Sequence, residues 1–200
     1  MFMSDSRFNT QMFTSDDSFD QIYPQGMQQL SKRHWTPLQI ATASAAFLAH
    51  KPGTRILDIG SGVGKFCLIG AHFHPDSYFY GIEQRKELYL YARNAKEVLK
   101  LDNADFICGN FTRFNAGQYD CFYFYNSFFE HLKPEDGIDQ QIDYSPDLYD
   151  YYTCYLQDIM DQRVSGTRFV TYYSMGDEVP DSYQLVDASD DMLLKMWIKR

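Results

Sequence analysis

The sequence predicts an α/β fold: a doubly wound, mostly parallel seven-stranded sheet that ends in an antiparallel C-terminal hairpin. Three observations carry this. Short apolar runs alternate with amphipathic stretches, a glycine-rich turn follows the first apolar run, and two strand-like runs joined by an acidic turn close the chain. In order, "HWTPLQIATASAAFLAH" opens the pattern as a helix. Thr36 is its N-cap, Pro37 its first helical residue, and Leu38, Ile40, Ala41, Ala45 and Leu48 its apolar face. "TRILDIG" is the first strand. The turn then leads into a helix from about Lys65 to Phe73, "SYFYGIE" is the second strand, and "RKELYLYARNAKEVLKL" is a long helix. "ADFICGN" and "YDCFYFYNS" are the third and fourth strands, and the "FTRFNAGQ" between them is short for a helix. "PDLYDYYTCYLQDIMDQR" is a helix whose Leu148, Tyr152, Tyr155 and Ile159 recur at helical spacing, which assigns its aromatics to the core. "GTRFVTYYS" is the fifth strand. "YQLVDAS" and "MLLKMWIKR" form the hairpin, with Asp190 and Asp191 at a solvated tip.

A chain of 200 residues with 44% hydrophobic content buries one substantial core. Residues 34–200 form the α/β domain on this reading. Residues 1–33, polar, acidic and without clear periodicity, form a lid or a tail. No stretch approaches the roughly 20 apolar residues of a membrane span, and the N-terminus lacks the order of a signal peptide, so the expected location is the cytoplasm without membrane contact. The formal charge of −9 disfavours nucleic acid as a partner, because cationic side chains supply most of the affinity for phosphate. Cys67, Cys108, Cys121 and Cys154 stand singly among apolar neighbours and read as buried free thiols. His72 and His74 read as a surface loop after a helix, and no metal site is expected. Most of the 16 Tyr and 16 Phe belong to the core, with some lining a pocket. Two long loops have room for function: the stretch up to His34, and "HLKPEDGIDQQIDYSP" after the fourth strand.

The ligand of the glycine turn is narrowed by its spacing. A P-loop needs four residues between its glycines and then Lys-Ser/Thr, but Gly60 to Gly64 encloses three residues and Lys65 precedes Phe66. A dinucleotide turn sets its third glycine three residues after the second, to seat a pyrophosphate at the helix start. Here Gly60, Gly62 and Gly64 are evenly spaced behind Asp58, an acid that repels pyrophosphate and attracts a cation. Glu83, 25 residues after Asp58 at the end of the second strand, stands where a carboxylate accepts both hydroxyls of a ribose. That acid serves a nicotinamide cofactor equally well, and three glycines also suit a tight turn with no ligand.

"LDIGSGVGKF" resembles motif I of the class I S-adenosylmethionine-dependent methyltransferases, whose cofactor has a cationic amino-acid end and no phosphate. The resemblance implies a Rossmann-like fold, S-adenosyl-L-methionine as cofactor, and a cofactor site built on Asp58, Gly60, Ser61, Gly62 and Gly64. It makes Glu83 the ribose-binding acid, and it makes Asn110 and Phe111 of "FICGNF" the residues that bond and pack the adenine. In "FYNSFFEHL", Asn126 matches the position where amine-directed members carry Asn or Asp, then two prolines and an aromatic; here Ser127, Phe128 and Phe129 follow without the prolines. Trp35 and Thr36 of "RHWTP" fall near the methionine end of the cofactor. The motifs run in family order over roughly residues 34 to 175.

The implied reaction is displacement at a sulfonium methyl, with the protein aligning donor and acceptor and excluding water. Asn126 and Glu130 are the candidate catalytic residues, Asn126 to accept a hydrogen bond from an amine and Glu130 as a base. Phe19, Tyr23 and Trp35 are candidates for closing a lid. The acceptor is unknown, an amine or protein side chain being slightly favoured and a small molecule remaining open. Two rivals stand beside this: an NAD(P)-binding oxidoreductase, and a noncatalytic binding module on a methyltransferase fold.

Overall fold

A computed structural model of the chain describes residues 11–133, 135, 137–139 and 142–200. Its strands are β1 (Arg55–Ile59), β2 (Tyr78–Glu83), β3 (Ala104–Cys108), β4 (Cys121–Tyr125), β5 (Arg168–Tyr172), β6 (Tyr183–Ala188) and β7 (Leu194–Lys199). They form one sheet in the order β3-β2-β1-β4-β5-β7-β6. The first five run parallel, and β7 pairs antiparallel with both β5 and β6. The sheet, its mixed direction and its C-terminal hairpin are those the sequence predicts.

The helices are α1 (Asp16–Asp20), α2 (Gln25–Gln28), α3 (Ser31–His34), α4 (Leu38–Leu48), α5 (Lys65–Phe73), α6 (Lys86–Leu99) and α7 (Pro146–Asp161). Successive strand residues point to opposite faces, so β1 and β4 each feed two cores. Ile56 and Tyr123 pack with α4, α5 and α6 on one face; Leu57, Ile59, Phe122 and Phe124 pack with α7 and the turn at Phe111 on the other. Both faces are covered, which explains why these strands read as unbroken apolar runs. The aromatics follow from the same geometry: Phe66 stacks on Tyr123 with ring centres 3.9 Å apart, at the junction of α5 and the sheet.

Four expectations change. Thr36 does not cap α4, because its hydroxyl is within 3.0 Å of the Tyr123 hydroxyl, in the core. The first amide of α4, Leu38 N, donates instead to Asp16 Oδ1 (2.8 Å), a cap from 22 residues away. The buried face of α7 is Tyr149, Tyr152, Thr153, Leu156 and Met160, one residue round from the predicted stripe. Helical spacing fits both stripes: Leu156 and Met160 are fully buried, and Leu148, Tyr155 and Ile159 of the predicted stripe pack half-buried against the same core. Cys67 and Cys121 are buried, but Cys108 and Cys154 are exposed: the first lies at the end of the edge strand β3, the second on the outer face of α7.

Residues 11–34 pack into the first core. Phe19 is fully buried, Tyr23 donates its hydroxyl hydrogen to Val63 O (2.9 Å), and Phe13 stacks on His72 at 3.7 Å. The polar stretch therefore carries apolar anchors at irregular spacing, which a periodicity reading does not detect. Residues 1–10 of the expected lid or tail, and positions 134, 136, 140 and 141 of the loop after β4, lie outside the described residues.

Candidate active site

Strand order reverses between β1 and β4, and in such sheets the crevice beyond the carboxyl ends of those strands receives ligands. A cleft of about 560 Å³ lies there, within the usual range for small-molecule sites. It extends from Gln84, Gly109 and Phe111, past Glu83 and the glycine turn, to Asn126, Tyr125 and Tyr173.

The turn is closed by backbone. Gly60, Gly62 and Gly64 all have positive φ, at 76°, 53° and 81°. A Cβ on Gly60 would strike the Ser127 side chain, and one on Gly62 would fall 2.8 Å from the Trp35 ring, so these positions demand glycine. Ser127 Oγ donates to Ile59 O (2.7 Å), which joins the loop after β4 to the end of β1. Gly60 N and Ser61 N both donate to Ile82 O, and Gly62 N donates to Glu83 Oε2 (2.9 Å).

Two buried acids face this floor. Burial pushes the Asp58 carboxyl well above the usual range; the Cys67 thiol, which donates to its Oδ2, works the other way, and nearby Glu83 adds to the rise. Burial also raises Glu83, against the backbone amides of Arg85 and Gly62 and the Arg85 charge. Ser61 Oγ and Asn126 Oδ1 are buried without a hydrogen-bond partner, and Asn126 holds φ at 38°. Desolvated acids, orphaned polar atoms, a glycine floor and the Phe111 and Phe128 rings fit a ligand with a cationic head, hydroxyls and a flat ring.

The expected site residues come together with two exceptions. Asp58, Gly60, Ser61, Gly62, Glu83, Phe111, Asn126, Trp35 and Thr36 all line the cleft. Gly64 sits behind the turn, where a Cβ would strike Phe106. Asn110 is the first exception: its Nδ2 donates to the Tyr152 hydroxyl and to Gln84 Oε1, and its Oδ1 accepts from Thr112 N, so it braces the wall from behind. Glu130 lines the cleft as expected, and it is the second exception in role alone. Both its oxygens accept from the Arg85 guanidinium, at 3.0 and 2.8 Å, and a carboxylate held in that fork is a poor base.

Arg85 is the residue that sequence reasoning missed. Its side chain is 4% exposed, yet besides Glu130 it binds Asp139 Oδ1 (3.0 Å) and the Tyr144 hydroxyl (3.1 Å). Burial opposes its charge, but the bonds and charges of Glu130 and Asp139 outweigh that and raise its pKa. Its partners lie 45 to 59 residues away, beyond any local signal. His131 was also overlooked; it lies against Tyr152 in the cleft wall with Nδ1 lacking a partner, and burial lowers its pKa. Among the described residues no group of three or more His, Cys, Asp or Glu side chains is arranged to hold a metal ion.

The family model described as "Methyltransferase domain" matches residues 50–153, which include the glycine turn, Glu83 and Asn126. The chain belongs to the class I S-adenosylmethionine-dependent methyltransferases. Its cofactor is S-adenosyl-L-methionine, and the cleft fits that group. This methyltransferase is 44% identical over 54 residues to a tRNA (guanine-N(7)-)-methyltransferase of Microcystis aeruginosa, covering 27% of this chain and 26% of the relative. The match thus spans about a quarter of the relative's length. An RNA methyltransferase of Salinibacter ruber in complex with S-adenosyl-L-homocysteine superposes with a TM-score of 0.54 and 23% identity, covering 82% of this chain and 91% of that one. A point mutant of MtNAS in complex with S-adenosylmethionine gives a TM-score of 0.57 and 14% identity over 98% of this chain and 71% of that one. At these identities the superpositions show the fold. The names of these relatives overturn the expectation that disfavoured nucleic acid: net charge sums over the whole surface, whereas an acceptor meets only the rim of the cleft. No helix of the described residues is long and apolar enough to cross a membrane.

Proposed function

We propose that this methyltransferase acts on a nucleobase nitrogen of RNA. One observation carries the reading: the 54-residue stretch that is 44% identical to a tRNA (guanine-N(7)-)-methyltransferase. When bound, the cofactor supplies a sulfonium methyl already activated for displacement. On this reading Asp58 faces the ammonium end, Glu83 takes the ribose hydroxyls, Phe111 packs the adenine, and Asn126 stands between cofactor and acceptor. Trp35, laid over Gly62 and tied through Nε1 to Met27 O (3.2 Å), excludes water from the methionine end. Residues 11–34 close that end as a fixed cover. A purine ring nitrogen such as N7 has a free lone pair and no proton to lose, so its methylation needs no base. The engagement of Glu130 by Arg85 supports this, since an amine acceptor would need a group to take its proton. Alignment of the two reactants then provides the rate enhancement.

The test is incubation of the protein with methyl-labelled cofactor and total RNA, followed by nucleoside digestion and mass identification. Label in a methylated base is the expected result. Label confined to protein or to small molecules rejects the reading.

A further inference from the structure

The outer rim of the cleft has a composition unlike the rest of this acidic chain. On one side Lys32, Arg33 and His34 follow one another along α3 and line the cleft, the first two being exposed. On the other side stand Tyr125, Tyr173 and Met175, with Tyr173 47% exposed. The two sides are linked, because the Tyr125 hydroxyl donates to Arg33 O (3.3 Å). Tyr125, Tyr172 and Tyr173 form a ring cluster with centres 4.7 to 5.9 Å apart.

Among the described lining residues, the charged side chains at the outer rim are Lys32 and Arg33. The carboxylates that line the cleft are Asp58, Glu83 and Glu130; the first two lie at its floor, and the third is held by Arg85. Two acids act on Tyr172 from nearby, Asp191 and Asp16, and Asp16 is paired with Lys65. Backbone strain gathers in the same place. Asn126 and Tyr173, at the ends of neighbouring strands β4 and β5, hold φ at 38° and 54°, a region that non-glycine residues occupy only when their surroundings enforce it. Below the rim, the buried Asn126 Oδ1 lacks a donor, and the exocyclic amino or ring N–H of a base is a donor of the right kind.

We propose that Lys32, Arg33, Tyr125 and Tyr173 form an acceptor gate for an unpaired RNA nucleotide, the base lying against Tyr173 and the flanking phosphates meeting Lys32 and Arg33. The inference rests on the RNA reading above and names the residues that admit the acceptor. A base reaching Asn126 from this rim must leave any duplex, because only an extruded or single-stranded nucleotide enters a cleft of this depth. Ring stacking supplies sequence-tolerant affinity, and two cations serve a short stretch of backbone. An acidic protein therefore binds RNA locally while its remaining surface repels it.

Two readouts on the full chain test the gate: transfer of label to total RNA, and anisotropy of a fluorescent single-stranded RNA of mixed sequence, about 12 nucleotides long, with S-adenosylhomocysteine present. Tyr173→Ala is expected to weaken RNA binding at least about fivefold. Lys32→Glu with Arg33→Glu is expected to weaken it about tenfold or more, and to flatten its salt dependence by roughly 0.7 for each phosphate that is no longer neutralised. S-adenosylhomocysteine affinity stays within about twofold in both, which separates a lost gate from a lost fold. Lys51→Glu, at the opposite end of the sheet, leaves RNA affinity unchanged. If RNA takes label but the gate variants bind it as the parent does, the gate is wrong and the acceptor reading stands. If RNA takes no label and the oligonucleotide does not bind, both fall.

Discussion

Lys65 and Arg85 occupy equivalent places. Each is a buried cation at the start of a helix just beyond the carboxyl end of a strand, and each holds a distant segment against the cleft. Lys65 Nζ binds Asp16 (2.6 Å) and Asp20 (2.8 Å) of the N-terminal segment. Arg85 binds Glu130 and Asp139 of the loop after β4. The difference lies in what else holds the two segments. Beneath Lys65 the segment is also anchored by Phe19 and Tyr23 in the core, whereas beyond Arg85 Leu132 is exposed and Ile138 only half-buried. One clasp completes an apolar interface; the other adds to the anchors at the start of its loop, where Ser127 bonds Ile59 O and Phe128 and His131 are buried. Both cations line the cleft, and Arg85 is also tied to its floor through its amide, which donates to Glu83 Oε1 (2.8 Å).

The largest effect that tests this contrast comes from Lys65→Met, which leaves Asp20 buried without its cation. Urea unfolding should show a loss of about 3–5 kcal/mol, and adding Asp20→Asn should restore much of it. Equal stability of the single variant and the parent would make the Lys65 clasp incidental. Arg85→Met should cost less in global stability, about 1–3 kcal/mol, because Glu130 and Asp139 retain access to water. Its marker is local: limited proteolysis should cut faster between residues 130 and 145, and S-adenosylhomocysteine should bind about tenfold more weakly, ~1.4 kcal/mol. An unchanged cleavage rate would show that the loop has other anchors.

Gly60→Ala tests the floor that both clasps surround. Its Cβ meets Ser127 at a positive φ, so titration calorimetry should show S-adenosylhomocysteine affinity reduced by about tenfold, with the unfolding midpoint lowered by strain at that position. The smallest effect is in proton linkage. Asp58 and Glu83 have carboxyl pKa values raised by burial, so the ligand-free protein keeps protons there that ordinary carboxyls have already lost. Between the ordinary carboxyl range and the raised values, the folded state binds more protons than the unfolded one, and this contribution to stability falls as pH rises. An ammonium-bearing ligand favours the carboxylates. Its binding should release up to about one proton and strengthen with pH until the raised values are passed. Calorimetry in two buffers of different ionisation enthalpy measures that release, and proton uptake would reverse the assignment.

Much of the cofactor end was legible because its determinants are local. Strand, acid, spaced glycines and helix lie within residues 55–73, and each glycine holds a positive φ of its own turn, although the side chains that exclude a Cβ there, Ser127, Trp35 and Phe106, come from far along the chain. Glu83 follows from its position at the end of β2 alone. Other residues, at both ends of the cleft, have contacts that depend on partners far along the chain. Glu130 looks like an exposed acid and becomes one half of a fork with Arg85; Asn110 looks like an adenine ligand and becomes a brace for Tyr152. Thr36 looks like a cap and is replaced by Asp16.

The sequence by itself determined the sheet, the glycine turn and the cofactor, since hydrophobic periodicity and backbone conformation are written in neighbouring residues. Only the tertiary structure decided which cations clasp which segments, which carboxylates remain available, and that a cationic, aromatic rim faces the cleft of an acidic protein. Ion pairs and ring contacts depend on distance in space, and residues 45 or 92 positions apart carry no mark of meeting until the chain folds.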